Sequence, residues 1–202
     1  MSMSIQTDKS KVTDLNEVFS GAALARLWVG LGSILREHED FSHVLCMWDS
    51  PESSTILPIM QRFRDELHQR SIMIKDAEGF KHLIPDPSKG SAMKRMCLLF
   101  RWLVRGPDEV DLGHWSDIGT QRLIIPLDVH VFRLSRALGL TNRSNPNLDT
   151  ALEVTKALQR FDHEDPIRFD FALAHLGISG DCKGYRVPNL CEKCPLTQSC
   201  TL

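Results

Sequence analysis

Four of the six cysteines crowd the C-terminal end of the 202-residue chain, as Cys182, Cys191, Cys194 and Cys200, in the spacing Cys-x8-Cys-x2-Cys-x5-Cys. Thiolates are soft ligands, and four of them can enclose one metal ion or one cluster. Structural zinc sites bring together two short Cys-x2-Cys knuckles, or one knuckle and histidines. This chain has one knuckle, Cys191 to Cys194, with the other two ligands standing off at unequal distances. Such a wide, asymmetric loop suits an iron–sulfur cubane, which is larger than a zinc ion. Zinc stays open as the alternative, and disulfides are the weaker reading for an intracellular chain. Cys46 and Cys97 stand alone in apolar company, the setting of small buried hydrophobes.

The elements that must position this loop read as helices. Apolar residues recur at helical spacing over 16–37, 56–69, 91–105, 128–138, 148–160 and 166–176. In 91–105, Met96, Leu99, Phe100, Leu103 and Val104 form one stripe, while Lys94, Arg101 and Arg105 share another face. Asp128 opens its helix as an N-cap, and Gly139 ends it as a C-cap. Gly21, Gly30 and Gly32 weaken the first helix. Two-residue alternation is absent over any useful length, so the expectation is an all-α fold.

Composition narrows the class. Hydrophobic residues are 42% and charged residues 25%, ordinary for a globular protein. The apolar runs are too short to span a bilayer, and the first residues lack the apolar core of a signal peptide. The expectation is a cytoplasmic protein with no membrane partner, and a monomer. A net charge of -2 argues against wholesale attraction to nucleic acid but leaves room for one basic face. The acidic stretches 37–40 and 162–165 read as solvated helix ends.

The cysteine spacing resembles that of the iron–sulfur members of the endonuclease III superfamily, the helix–hairpin–helix DNA glycosylases, which end in Cys-x6-Cys-x2-Cys-x5-Cys. The last three cysteines match, and the first gap carries two extra residues. Pro126-Leu-Asp-Val-His-Val-Phe-Arg-Leu-Ser-Arg136 is similar to the segment that holds the superfamily's catalytic aspartate, with Asp128 at that place. Lys94-Arg-Met-Cys-Leu-Leu-Phe-Arg-Trp102 resembles the lysine helix of the archaeal 8-oxoguanine glycosylases. That makes Lys94 the candidate nucleophile and Lys89, in the preceding glycine-containing turn, the reserve. The usual hairpin glycines are missing. Over roughly residue 20 to the end, the chain also resembles an uncharacterised, mainly bacterial family related to these glycosylases. The shared runs fall at 85–95, 101–105, 111–115, 125–128 and 165–173. Members of that family carry more chain before this point, so the expected fold is short of its first helices.

The resemblance implies a helical DNA-glycosylase-like fold with a C-terminal four-cysteine metal loop. Residues 1–164 would form the glycosylase-like region with the lysine helix and the Asp128 helix. Residues 165–202 would carry the last helix and a 4Fe-4S cluster on Cys182, Cys191, Cys194 and Cys200. It implies base-excision repair of duplex DNA by a glycosylase/AP lyase acting on damaged, including oxidised, bases. A flipped nucleotide would be attacked at C1′ by neutral Lys94, with Asp128 ionised, assisting proton removal and stabilising charge on the sugar. Lys89, Arg101, Arg105, Arg133, Lys183 and Arg186 would meet phosphates. Trp102, Trp115 and Phe132 are candidates to stack on a base, while Phe100 reads as core. Two rivals stand beside this reading: a non-catalytic iron–sulfur DNA-binding protein that keeps the glycosylase fold, and a zinc-stabilised helical interaction protein.

Overall fold

The computed structural model of the chain describes residues 20–202, apart from Glu39, Pro51, Asp76 and Glu78. Among the described residues the regular elements are helical, with no strand and a single isolated bridge between Ser91 and Asn147. The all-α expectation holds. Among the described residues, the lysine segment is preceded by α1 (Gly21–Glu37), α2 (Phe41–Met47), α3 (Leu57–Arg70) and the short α4 (Phe80–Leu83). Then come α5 (Lys94–Val104), α6 (Val129–Ala137), α7 (Leu148–Leu158), α8 (Asp170–Ile178) and α9 (Pro188–Cys191). Residues 16–19 of the expected first helix lie outside the described residues.

Side-chain caps mark the starts of α1, α2, α6 and α7. Ser20 accepts the Ala23 N–H ahead of α1, and Asn147 accepts the Thr150 N–H ahead of α7. The acidic stretch 37–40 does more than end a helix. Glu37 pairs with Arg70 of α3, and Asp40 caps α2 by accepting the Ser42 N–H, a helix absent from the sequence reading. The expected helix 166–176 splits into a 3₁₀ turn, Pro166–Phe169, followed by α8. Proline lacks an N–H to donate, and 3₁₀ geometry is a common way into an α-helix.

Gly30 is no weakness in α1. A Cβ there would stand 2.9 Å from Leu67 Cδ2 and 3.1 Å from the Leu67 carbonyl oxygen, so glycine is what lets α1 lie close against α3. The core is built around Phe100, fully buried, edge-on to Phe63 (6.2 Å) and Trp115 (5.4 Å). Ile167 and Leu173 join the same core from the C-terminal side.

Residues 123–127 run extended through this core with every side chain buried. Ile125 donates its N–H to Thr155 Oγ1 of α7 at 3.0 Å, and Pro126 has none to donate. This buried segment delivers Asp128 to the start of α6. On the other side, Met93 takes a left-handed conformation (φ 49°) with its side chain buried, and the chain turns there into Lys94. The residues on either side of the candidate chemistry are therefore anchored in the core.

Candidate active site

Asp128 is the N-cap of α6. Its Oδ1 accepts the N–H groups of His130 and Val131, each at 2.8 Å. Its Oδ2 lies 3.1 Å from Nζ of Lys94, the first residue of α5. Burial opposes the charged carboxyl, but the Val131 N–H, the Lys94 ammonium and the His130 N–H outweigh it and hold the group below the ordinary carboxylate value. Two helix N-termini thus meet at one carboxylate and one amine.

The pair borders a cavity of about 280 Å³. Asp170 and Arg101 supply its other charged groups, and Trp102, Phe171 and His175 its rings. Trp102 is half exposed, as a stacking surface requires. Trp115 and Phe132 are corrected: Trp115 packs in the core against Phe41 and Phe100, and Phe132 is buried beneath the Arg136 guanidinium. Phe100 is core, as read. Asp170, Phe171 and His175 had no role in the sequence reading. The run 165–173 contains Asp170 and Phe171, but nothing in it reveals that this helix start reaches back to the lysine.

Lys89 is exposed and borders a different hollow, of about 970 Å³, lined also by Lys81, His82, Arg95 and Ser91. Lys94 and Leu98 border both cavities, so this basic groove adjoins the pocket. Of the two candidate nucleophiles, Lys94 is the one paired with Asp128.

The assignment of Arg101 and Arg105 to phosphate contacts is corrected. Both are turned inward, because carboxylates from distant segments pack against α5. Arg101 is 4% exposed and pairs with Asp170 (2.5 Å) and Asp111 (3.4 Å). Arg105 pairs with Asp111 and grips Asp165 through Nε and Nη2. The helical spacing that grouped them with Lys94 was right about the face and silent about what covers it. Arg133, Lys183 and Arg186 are exposed, on the side of the cysteine loop. Arg133 lies over Gly184, Lys183 folds toward Gly180, and Arg186 donates to the Leu202 carbonyl oxygen at 3.2 Å.

The cysteine loop docks on the helix that Asp128 caps. Thr201 donates its N–H to the Ala137 carbonyl at 2.7 Å, and Gly177 of α8 lies against the His130 ring. Cys182, Cys191, Cys194 and Cys200 are free thiols of intermediate exposure. Cys182 Sγ accepts the Gly184 N–H (3.4 Å), and Cys191 Sγ accepts the Val187 N–H (3.2 Å). Backbone N–H groups that point at sulfur favour its thiolate form. Among the described residues, no three His, Cys, Asp or Glu side chains gather as a set that could hold a metal ion. Four thiols are the soft donors that an iron–sulfur cluster or a zinc ion takes, and the structure leaves them ungathered as a ligand set. Cys97 is buried as expected, and burial pushes its thiol up to about 12, whereas Cys46 is exposed on α2.

No helix of the described residues is long and apolar enough to cross a membrane. Comparison with known families matches residues 2–179 to one described as "Protein of unknown function (DUF2400)". No curated protein and no solved structure matches the chain.

Proposed function

The chain belongs to the DUF2400 family, and from that premise we propose that it performs lysine Schiff-base chemistry on damaged duplex DNA, as a base-excision glycosylase and AP lyase. The observation that carries this reading is the Lys94–Asp128 pair, 3.1 Å apart on the rim of a pocket that also holds an exposed tryptophan. A flipped nucleotide enters the pocket and its base lies against Trp102. Lys94 attacks C1′ as a neutral amine, the base departs, and the resulting Schiff base permits strand cleavage. Asp128, held in its charged form, stabilises positive charge on the sugar. The groove lined by Lys81, His82 and Lys89 is the surface for the phosphate backbone on one side of the pocket. Arg133, Lys183 and Arg186 serve on the other side.

In this reading Cys182, Cys191, Cys194 and Cys200 hold a 4Fe-4S cluster. A cluster on these thiols would serve as a structural staple, tying the loop that carries Lys183 and Arg186 against α6, with no redox work required. Zinc on the same thiols is the alternative.

Borohydride trapping on duplexes carrying a panel of oxidised and alkylated bases, and on an abasic duplex, tests the chemistry. The expected result is a covalent adduct that Lys94→Ala abolishes and Lys89→Ala retains. No adduct and no base release across the panel would refute it. The spectrum of anaerobically purified protein tests the cluster. A broad visible absorption lost in the Cys191→Ser variant is expected, and a colourless protein holding one zinc would overturn it.

A further inference from the structure

The pocket beside Lys94 holds two carboxyls in opposed surroundings. Asp128 sits on the rim with both oxygens engaged, Oδ1 by backbone N–H groups and Oδ2 by Lys94. Asp170 lies deeper, 3% exposed, as the first residue of α8. Its Oδ2 meets Arg101 Nη1, and Arg101 is shared with Asp111. Asp111 in turn shares Arg105 with Asp165. With Asp108 also 3.9 Å from Arg105, the network Asp170–Arg101–Asp111–Arg105–Asp165 sets four carboxylates against two guanidiniums, an excess of negative charge. Asp170 is faced by Arg101 and Lys94 from α5 and by Asp128 at the start of α6, and His175 of its own helix lines the same cavity.

We propose that Asp170, and not Asp128, carries the proton in the lysine chemistry of this pocket. This rests on the Schiff-base reading above and assigns a second carboxyl to it. Two carboxyls whose surroundings drive them apart are the usual mark of separate acid–base roles. Burial, helped by the charge of Asp128, raises Asp170 to about 6 against the pull of Arg101 and Lys94. Asp128 is held below its ordinary value and so makes the poorer proton acceptor.

On an abasic site the steps balance without any added reactant. The Asp170 carboxylate takes a proton from the Lys94 ammonium. The free amine adds to the C1′ aldehyde, forming the N–C1′ bond of a carbinolamine, with the amine proton passing to the new hydroxyl. Protonated Asp170 then gives its proton to that hydroxyl, the C1′–O bond breaks, and water leaves a protonated imine beside a restored carboxylate. With a base still attached, the same proton goes to the departing base nitrogen.

The test is the rate of borohydride-trapped adduct on a duplex with one abasic site, from pH 5 to 8. Wild type is expected to rise up to tenfold per pH unit below about pH 6 and level off above it. Asp170→Asn should lower the plateau about a hundredfold or more and remove that limb, with Asp170→Glu restoring part of both. An Asp170→Asn variant within threefold of wild type, with the same profile, overturns the proposal while leaving the Schiff-base reading intact. Absence of any wild-type adduct removes the Schiff-base reading and this proposal with it. Carboxyl nuclear magnetic resonance titration of wild type is independent of folding of the variant. An Asp170 midpoint near 6 that falls in Asp128→Asn supports the assignment, and an ordinary aspartate midpoint overturns it.

Discussion

Replacing Asp170 by asparagine keeps the volume and removes the charge, so it measures what that charge does to the fold. In the folded chain Asp170 is raised by burial to about 6, against an ordinary value of 3.8. Between those two values the folded state binds more proton than the unfolded state. Stability from this residue is therefore complete below the unfolded value and is lost as pH rises toward 6. A gap of about two pH units at 1.36 kcal/mol each corresponds to about 3 kcal/mol lost across the window. The amide keeps an oxygen that can accept from Arg101, so the substitution adds an offset that does not vary with pH. Other carboxyls titrate alike in both proteins and cancel in the difference. Urea unfolding at pH 4, 5, 6 and 7 is the assay. Wild type should lose about 2 kcal/mol relative to Asp170→Asn between pH 4 and 7, the rest of the loss falling below pH 4. A difference flat to within about 0.5 kcal/mol would refute the reasoning, because it would mean that Arg101 fully compensates the buried charge.

Three further outcomes follow from the same contacts. Arg101→Met strips the guanidinium from between Asp170 and Asp111 and should destabilise by about 3–5 kcal/mol, read as a fall in Tm of roughly 6–20 °C. Asp128→Ala loses the cap of α6 and should cost about 1 kcal/mol at neutral pH. Because that carboxyl is lowered in the fold, its contribution is present above the ordinary aspartate value and disappears as pH falls through the folded midpoint. The wild-type advantage in denaturant titrations should thus vanish in acid. Gly30→Val drives a side chain into Leu67 and should cost about 1–3 kcal/mol, whereas Gly32→Ala, with open space around its Cβ, should be neutral or slightly stabilising in the same measurement.

Periodicity in the chain was enough to find the helices that carry Lys94 and Asp128. The apolar stripe of 91–105 and the cap at Asp128 are local properties, and the observed helices Lys94–Val104 and Val129–Ala137 lie within a few residues of those expected. Short helices were missed for a related reason. Phe41–Met47 and Phe80–Leu83 are too brief for a 3.6-residue repeat to show, and tertiary packing with the Asp40 cap sustains Phe41–Met47.

What the sequence by itself determined is the identity of the candidate groups: four thiols close together in the chain, a lysine opening one helix and an aspartate opening another. Their spacing is a covalent property and survives any packing. Which charges remain available was decided only by the tertiary structure. Arg101 and Arg105 share a helical face with Lys94, yet that face is met by Asp170, Asp111 and Asp165 from as far as 69 residues along the chain. Charges so far apart in sequence leave no mark in local pattern, and a buried carboxylate draws in the guanidinium that compensates it. The same packing set Asp170 beside Lys94 and Asp128, so the pocket's second carboxyl belongs to the fold rather than to any motif.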